Sequence, residues 1–261
     1  LGHTDEIGTP GDWQISETLS REALPEPLHV RPLVHGDPRM NVVIGVPMER
    51  TIMQEAFFGF VQIFQQGWSM GRLPYTRNDI ARHKMVQFLL EGKYTHLLML
   101  DSDHVHPADI VPRLARWFLA YPGIVEVVGG LNFRRGEPFD PCAFVDPGDG
   151  QFHRLANWVQ GALRVDALGT GSMMIARSVF DKLPEAEGWF DYAYPDHEGW
   201  PGTDMTFSRK CREKGIKLWV DTTTISPHIG TQMIDEATYK AWIAERMAGQ
   251  VQRDPLEVVL R

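Results

Sequence analysis

The sequence predicts an α/β fold with a mostly parallel central sheet, flanking helices and a small antiparallel portion. Three observations carry that prediction. Short apolar runs such as Val42–Val46 and Leu97–Leu100 alternate with helical patterns over the first half of the chain. The runs are continuously apolar, as in strands buried on both faces. From Phe133 to Val165 the pattern loosens into Pro, Gly and aromatic residues, where short antiparallel strands are expected.

Residues 1–40 are rich in Pro, Gly, His and charge, and Pro25, Pro27, Pro32 and Pro38 break any long element. They read as an extension that wraps the domain or stays mobile. Asn41–Val46 is the first strand, ended by Pro47. Thr51–Gln66 follows as a helix, then a glycine-containing turn over Gly67–Gly71. Arg77–Gly92 carries Ile80, Ala81, Met85, Phe88 and Leu89 at helical spacing, with Asn78 or Asp79 placed to cap its start and Gly92 its end. After the strand ending at Leu100, Pro107 opens a helix through Leu119 that Asp109 is placed to cap, and Ile124–Gly130 is the next strand. A strand at Ser172–Ala176, a helix at Thr203–Lys214, a strand at Lys217–Asp221 and a polar helix from Asp235 to Ala248 complete the order. The expected organisation is an extension (1–40), one catalytic domain (41–230, divided near 130) and a C-terminal helix and tail (231–261).

Composition narrows the function. With 261 residues, 43% of them hydrophobic, the chain suffices for one large α/β domain. A net charge of -8 provides no overall basic field for nucleic acid or an anionic membrane, although a local basic patch stays open. Two cysteines without metal-type spacing, Cys142 and Cys211, fit a reduced cytoplasmic setting, a host cytoplasm if the chain is virus-encoded. No apolar run reaches the ~18 residues that span a bilayer. The chain begins at Leu1 rather than Met, which leaves open whether it is part of a longer protein.

The chemistry concentrates where strands end. Asp101 and Asp103 follow Leu97–Leu100 directly, at the carboxyl end of a strand, where open α/β sheets bind ligands. Two carboxylates so close repel unless a cation lies between them, and a divalent metal with a phosphate completing its shell is the economical explanation. A turn motif uses the same residues. Alternation through Val105 puts His104 and His106 opposite Asp103 if the strand continues. Asp204 opens a late helix after Trp200-Pro201-Gly202, where a carboxylate serves as a cap or, if it faces the cleft, as a base. His228, in Ser226-Pro227-His228-Ile229-Gly230, is a first-row metal ligand or an imidazole bonded to a local carbonyl. Gly169-Thr170-Gly171 lets backbone approach a ligand, and Arg77, Asn78 and Arg82 are placed to reach a nucleotide or diphosphate.

Taken in order, these residues resemble the GT-A glycosyltransferases, the Rossmann-like nucleotide-diphospho-sugar transferase fold. The matches are Val43–Pro47, Arg77-Asn78, Asp101-Ser102-Asp103, Gly169-Thr170-Gly171, Gly202-Thr203-Asp204 and His228-Ile229-Gly230, spanning residues 41–230. The resemblance implies that Asp103, Asp101 and His228 hold Mn2+ or Mg2+. Asp101 and Ser102 would also contact the donor, a nucleotide sugar with UDP favoured, as would Pro47, Arg77, Asn78, Arg82, Gly169 and Gly171, with Met48 near the base. Asp204 aligns with the residue that deprotonates the acceptor hydroxyl in inverting members. This sequence has Gly-Thr-Asp where many of those have Gly-Glu-Asp, which leaves a retaining mechanism open. The implied activity is hexosyl or pentosyl transfer to a glycan, a small molecule or a modified base in DNA, with Asp196-His197-Glu198 facing the acceptor and Arg134-Arg135 placed for an acceptor phosphate. A nucleotidyltransferase would show a glycine run after the first strand, which Gly45-Val46-Pro47-Met48-Glu49-Arg50 lacks. A non-catalytic binding domain on the same scaffold is the other alternative.

Overall fold

The structure, a computed structural model, describes residues 22–48, 51–73, 76–191, 202–230 and 233–253. In chain order these form β1 (Ala23–Leu24), β2 (Val42–Pro47), α1 (Gln54–Phe64), β3 (Ser69–Leu73), α2 (Asn78–Glu91), β4 (His96–Leu100), α3 (Ile110–Ala120) and β5 (Val127–Leu131). The second half adds β6 (Ala143–Val145), β7 (His153–Arg154), β8 (Ala162–Val165), β9 (Ala167–Leu168), β10 (Ser172–Ala176), α4 (Ser178–Lys182) and a single helical turn at Glu185–Glu187. It ends with α5 (Thr203–Glu213), β11 (Leu218–Ile225), β12 (His228–Ile229), β13 (Met233–Ile234) and α6 (Glu236–Arg253).

An eight-stranded sheet in the order β1-β8-β11-β5-β10-β4-β2-β3 organises the molecule. Strands β2, β3, β4, β5 and β11 share one direction, and β10 lies antiparallel between β4 and β5. The sheet is therefore mixed, with helices on both faces. The strands are apolar throughout because each feeds two cores. On one face Val43, Leu97, Met99, Met173, Ile175, Leu218 and Val220 meet Met85, Val86 and Leu89 of α2 and Phe207 and Cys211 of α5. On the other, Val42, Ile44, Leu98, Leu100, Met174 and Trp219 meet α1 and α3 through Phe60, Ile63, Leu114 and Trp117. Successive side chains point to opposite faces, so consecutive apolar residues supply both layers. Each fully buried Leu or Met contributes on the order of 1.5–3 kcal/mol. Gly45 lets α2 lie close, since a Cβ there would stand 2.7 Å from the Met85 sulfur.

Several elements differ from the sequence reading. The turn expected over Gly67–Gly71 is confined to Gln65–Gly67, with Gly67 at φ 87°; Ser69–Leu73 then forms an edge strand parallel to β2. Pro47 closes β2 as its last residue, paired with Leu73. β11 runs past Asp221 to Ile225, an extension that β-branched Thr222, Thr223, Thr224 and Ile225 favour. Neither Asn78 nor Asp109 makes a side-chain cap; Arg77 precedes α2, and the Asp109 carboxylate accepts from Arg113 at 2.7 Å. Gly92 does close α2, its N–H reaching the Phe88 carbonyl. The described part of the N-terminal region lies along the molecule: β1 adds to the sheet edge against β8, and Leu33 and Met40 join the α1/α3 core. Among the described residues, no helix is long and apolar enough to cross a membrane.

Candidate active site

The carboxyl ends of β2, β4, β5 and β11 open on one edge of the sheet. Because β10 runs the other way, its start arrives there too. The Asp101 N–H donates to the Gly171 carbonyl at 3.0 Å, tying the end of β4 to the glycine turn before β10. The chain turns at Ser102 and Asp103 instead of continuing as a strand. His104 then forms a bridge with His228, and the Ser102 hydroxyl donates to the Pro47 carbonyl at 3.1 Å.

That turn gathers Asp103, His104 and His228, whose ligand atoms all lie within 4.8 Å of one another. His104 Nδ1 is 2.9 Å from one Asp103 oxygen and His228 Nε2 is 3.0 Å from the other. The two imidazoles stack with centroids 4.1 Å apart. The expectation that His104 lies opposite Asp103 is thus corrected: it assumed a continuing strand, and the turn brings both to one side. His106 is not among the clustered ligand atoms, although its ring stacks on His104 with centroids 5.8 Å apart. It is buried, donates from Nε2 to the Asp101 carbonyl, and accepts from Ser226; burial, aided by repulsion from His104, depresses its pKa to about 3.

The protonation of this cluster indicates its chemistry. His228 Nδ1 faces the Phe133 carbonyl at 2.9 Å, so it must carry a proton. Its Nε2 then presents a lone pair to a carboxylate, and two acceptors face each other unless a proton or a cation stands between them. Burial lowers the His228 pKa, but the Asp103 hydrogen bond and charge outweigh it and the net shift is upward. Burial likewise works to raise Asp103, and hydrogen bonds from His104 and His228 overcome it, holding the carboxyl well below its usual range. One carboxylate and two imidazoles, one oriented through its second nitrogen, fit a divalent first-row ion such as Mn2+. They suit Mg2+ less, because it prefers oxygen alone.

Asp101, expected beside Asp103 as a ligand, is held elsewhere. Both its oxygens lie 3.3 Å from Arg82 Nη2, and Arg82 Nη1 donates to the Thr203 hydroxyl at the start of α5. Arg82, expected on an accessible helix face, is buried, and its Nε has no partner among the described residues. Arg77 and Asn78 are exposed, and Arg77 is engaged with Asp79 on its own helix.

Asp204 lies beyond Thr203, half-buried. Its Oδ1 accepts from the Met205 N–H at 3.0 Å, so it does serve the first turn of α5. Burial raises its pKa, and the Arg82 charge offsets only part of that. The glycine turn is packed into this wall. A Cβ on Gly169 would stand 2.8 Å from the Cys142 Cβ and 3.7 Å from Asp204 Oδ2. A Cβ on Gly171 would stand 2.8 Å from Asn132 Nδ2 and 2.9 Å from His104 Nε2. Asp101, two residues before Asp103, therefore leads through Arg82 to Thr203 and its neighbour Asp204.

Three nearby residues join the site in ways the sequence did not indicate. His104 was masked by the strand assumption. Asn132 follows β5 directly and bonds Ser172 Oγ at 3.1 Å; its place at a strand end was the available signal. Arg135 reaches Asp103 from the loop after β5, at 3.5 Å, which sequence spacing could not reveal. Asp196-His197-Glu198, Trp200 and Pro201 lie outside the described residues.

No protein-family model and no curated protein matches the sequence. Among solved structures, A197 from STIV overlays 73% of this chain and 86% of its own with a TM-score of 0.50 at 17% identity. GalNAc-T7, solved with UDP, GalNAc and Mn2+, overlays 78% of this chain at a TM-score of 0.45 and 16% identity; the overlap spans 41% of that chain. The likeness to A197 is one of chain path: an α/β molecule built on a large mixed sheet between helices.

Proposed function

We propose that the protein is a metal-dependent glycosyltransferase of the GT-A type, moving a sugar from a nucleoside-diphosphate donor, UDP-sugar favoured, to a hydroxyl acceptor. The observation that carries this reading is the Asp103–His104–His228 cluster at the strand ends, with the Asp101–Arg82–Thr203 run beside it leading to half-buried Asp204. Asp103, His104 and His228 would hold Mn2+, which when bound neutralises the charge that develops on the leaving nucleoside diphosphate. Pro47, Ser102 and the Gly169–Gly171 turn line the side where β2 and β4 end and would receive the nucleotide. Asp101 fixes Arg82, whose spare Nε–H is suited to a donor oxygen. Asp204 would take the acceptor hydroxyl's proton in an inverting transfer, and its raised pKa brings it nearer to working pH as a base.

Calorimetric titration of UDP and GDP with and without Mn2+ tests the reading. UDP is expected to bind in Mn2+ and to lose nearly all affinity in EDTA, and Asp103→Ala should bind neither ion nor nucleotide. Equal affinity in EDTA would remove the metal-dependent donor site from consideration.

A further inference from the structure

The loop between β5 and β6 carries two arginines and two acidic residues, and neighbouring elements bring further arginines to it. It starts at the metal-type cluster, where the Phe133 carbonyl accepts from His228. The next two residues are Arg134 and Arg135. Arg135 lies 3.5 Å from Asp103 and is 62% exposed, so its guanidinium stands at the rim with most of its donors in solvent. The Arg134 N–H is fixed to the Asp140 carbonyl at 2.9 Å, while its guanidinium makes no hydrogen bond or ion pair among the described residues. Asp140, the buried carboxylate of this loop, is already paired with Arg154. Helix α6 brings a fourth guanidinium to the same wall. Trp242 packs edge-on against Phe139 with centroids 6.2 Å apart, and Arg246 lies 5.0 Å over the Trp242 ring. The remaining acidic residue of the loop, Glu137, is exposed. Arg134, Arg154 and Arg246 all lie close enough to Asp140 to favour its ionised form, and Arg135 faces Asp103, so in a chain of net charge -8 arginines predominate beside the candidate active site.

We propose that Arg134 and Arg246, with Arg135 at the rim, bind a phosphate group carried by the acceptor. Guanidinium groups meet phosphate oxygens through paired, charge-assisted hydrogen bonds, and Arg134 and Arg246, which both face Asp140, are suited to that. The place of these residues argues for the acceptor rather than the donor. Nucleotide-side contacts come from the ends of β2 and β4, whereas this wall comes from the β5–β6 loop and α6, with β10 between β4 and β5 in the sheet. The inference rests on the glycosyltransferase reading for the word acceptor; the phosphate site itself does not.

Two probes separate the sources of phosphate. Ribose 5-phosphate and a short single-stranded DNA oligonucleotide are titrated into the full chain at low salt, each with and without UDP and Mn2+. The wild type is expected to bind at least one probe, and Arg134→Ala/Arg246→Ala to weaken that binding about tenfold or more. UDP affinity and melting temperature should stay at wild-type levels in the same variant. Binding of the sugar phosphate assigns a small phosphorylated acceptor. Binding of the oligonucleotide alone, with affinity falling steeply in salt, assigns a nucleic-acid backbone. No binding of either probe to the wild type, or equal binding by the variant, overturns the site. Loss of UDP binding with retained probe binding would instead sink the donor reading and leave the arginine site standing.

Discussion

Asp204 is the residue at which catalysis and stability pull apart. A half-buried carboxylate whose desolvation raises its pKa is costly when ionised, and Arg82 offsets only part of that cost. A folded-state pKa above the unfolded value means that the group's stabilising contribution is complete below the unfolded value of 3.8 and is lost as pH rises through the folded value. At neutral pH wild-type Asp204 is therefore destabilising, a charge retained for its basicity. Asp204→Asn keeps the shape and removes the charge. It should melt at a higher temperature than wild type at neutral pH, with the difference closing as pH falls toward 4. The same variant should bind UDP and Mn2+ normally and lose transfer activity by about two orders of magnitude or more. Transfer by the wild type should fall on the acid side as Asp204 protonates, at a pH above the ordinary carboxylate range. Normal turnover in Asp204→Asn would return the residue to its first-turn contact with Met205 alone.

Between elements, the decisive contact is the start of β10 against the turn after β4. Gly171 gives its carbonyl to Asp101 and leaves no room for a side chain beside His104 and Asn132. Gly171→Ala should displace the His104 ring, because the new carbon meets ring and amide atoms at under 3 Å. The expected result is a loss of Mn2+ affinity of roughly tenfold with far-UV dichroism unchanged. Unchanged affinity would mean that His104 is not a ligand. This contact also marks how far the sequence could be read. The strand end at Asp101 was legible because an apolar run stops there abruptly, and Gly169 and Gly171 were legible as close-approach positions. The pairing of Asp101 with Arg82 was not, because Arg82 was read as reaching for a ligand from near a helix start, and its burial comes from α5, over a hundred residues away. β3 was missed for a related reason: Ser69-Met70-Gly71-Arg72-Leu73 has little strand character of its own and is extended because β2 offers it an edge.

At the scale of the molecule, the alternation of strand and helix predicted the layers correctly, while the antiparallel insertion of β10 depended on pairings no local pattern encodes. The consequence of those layers is mechanical. Leu98 and Met99 are neighbours on β4, both about fully buried, yet Leu98 belongs to the α1/α3 core and Met99 to the α2/α5 core. No layer can loosen without exposing the back of the strands that the other layer needs, so both cores and the site at their shared edge should unfold together. Leu98→Ala and Met99→Ala should each cost about 2–5 kcal/mol, read as a lower urea midpoint. In both variants, far-UV dichroism and tryptophan fluorescence should trace one shared transition with the slope of the wild type. Mn2+ with UDP should raise the midpoint of both, because ligand held at the common edge stabilises whatever must be folded to hold it. If Leu98→Ala split the transition and left the α2/α5 core folded, the faces would be independent units, and Asp103 and Asp204 would not be held in one frame by the sheet.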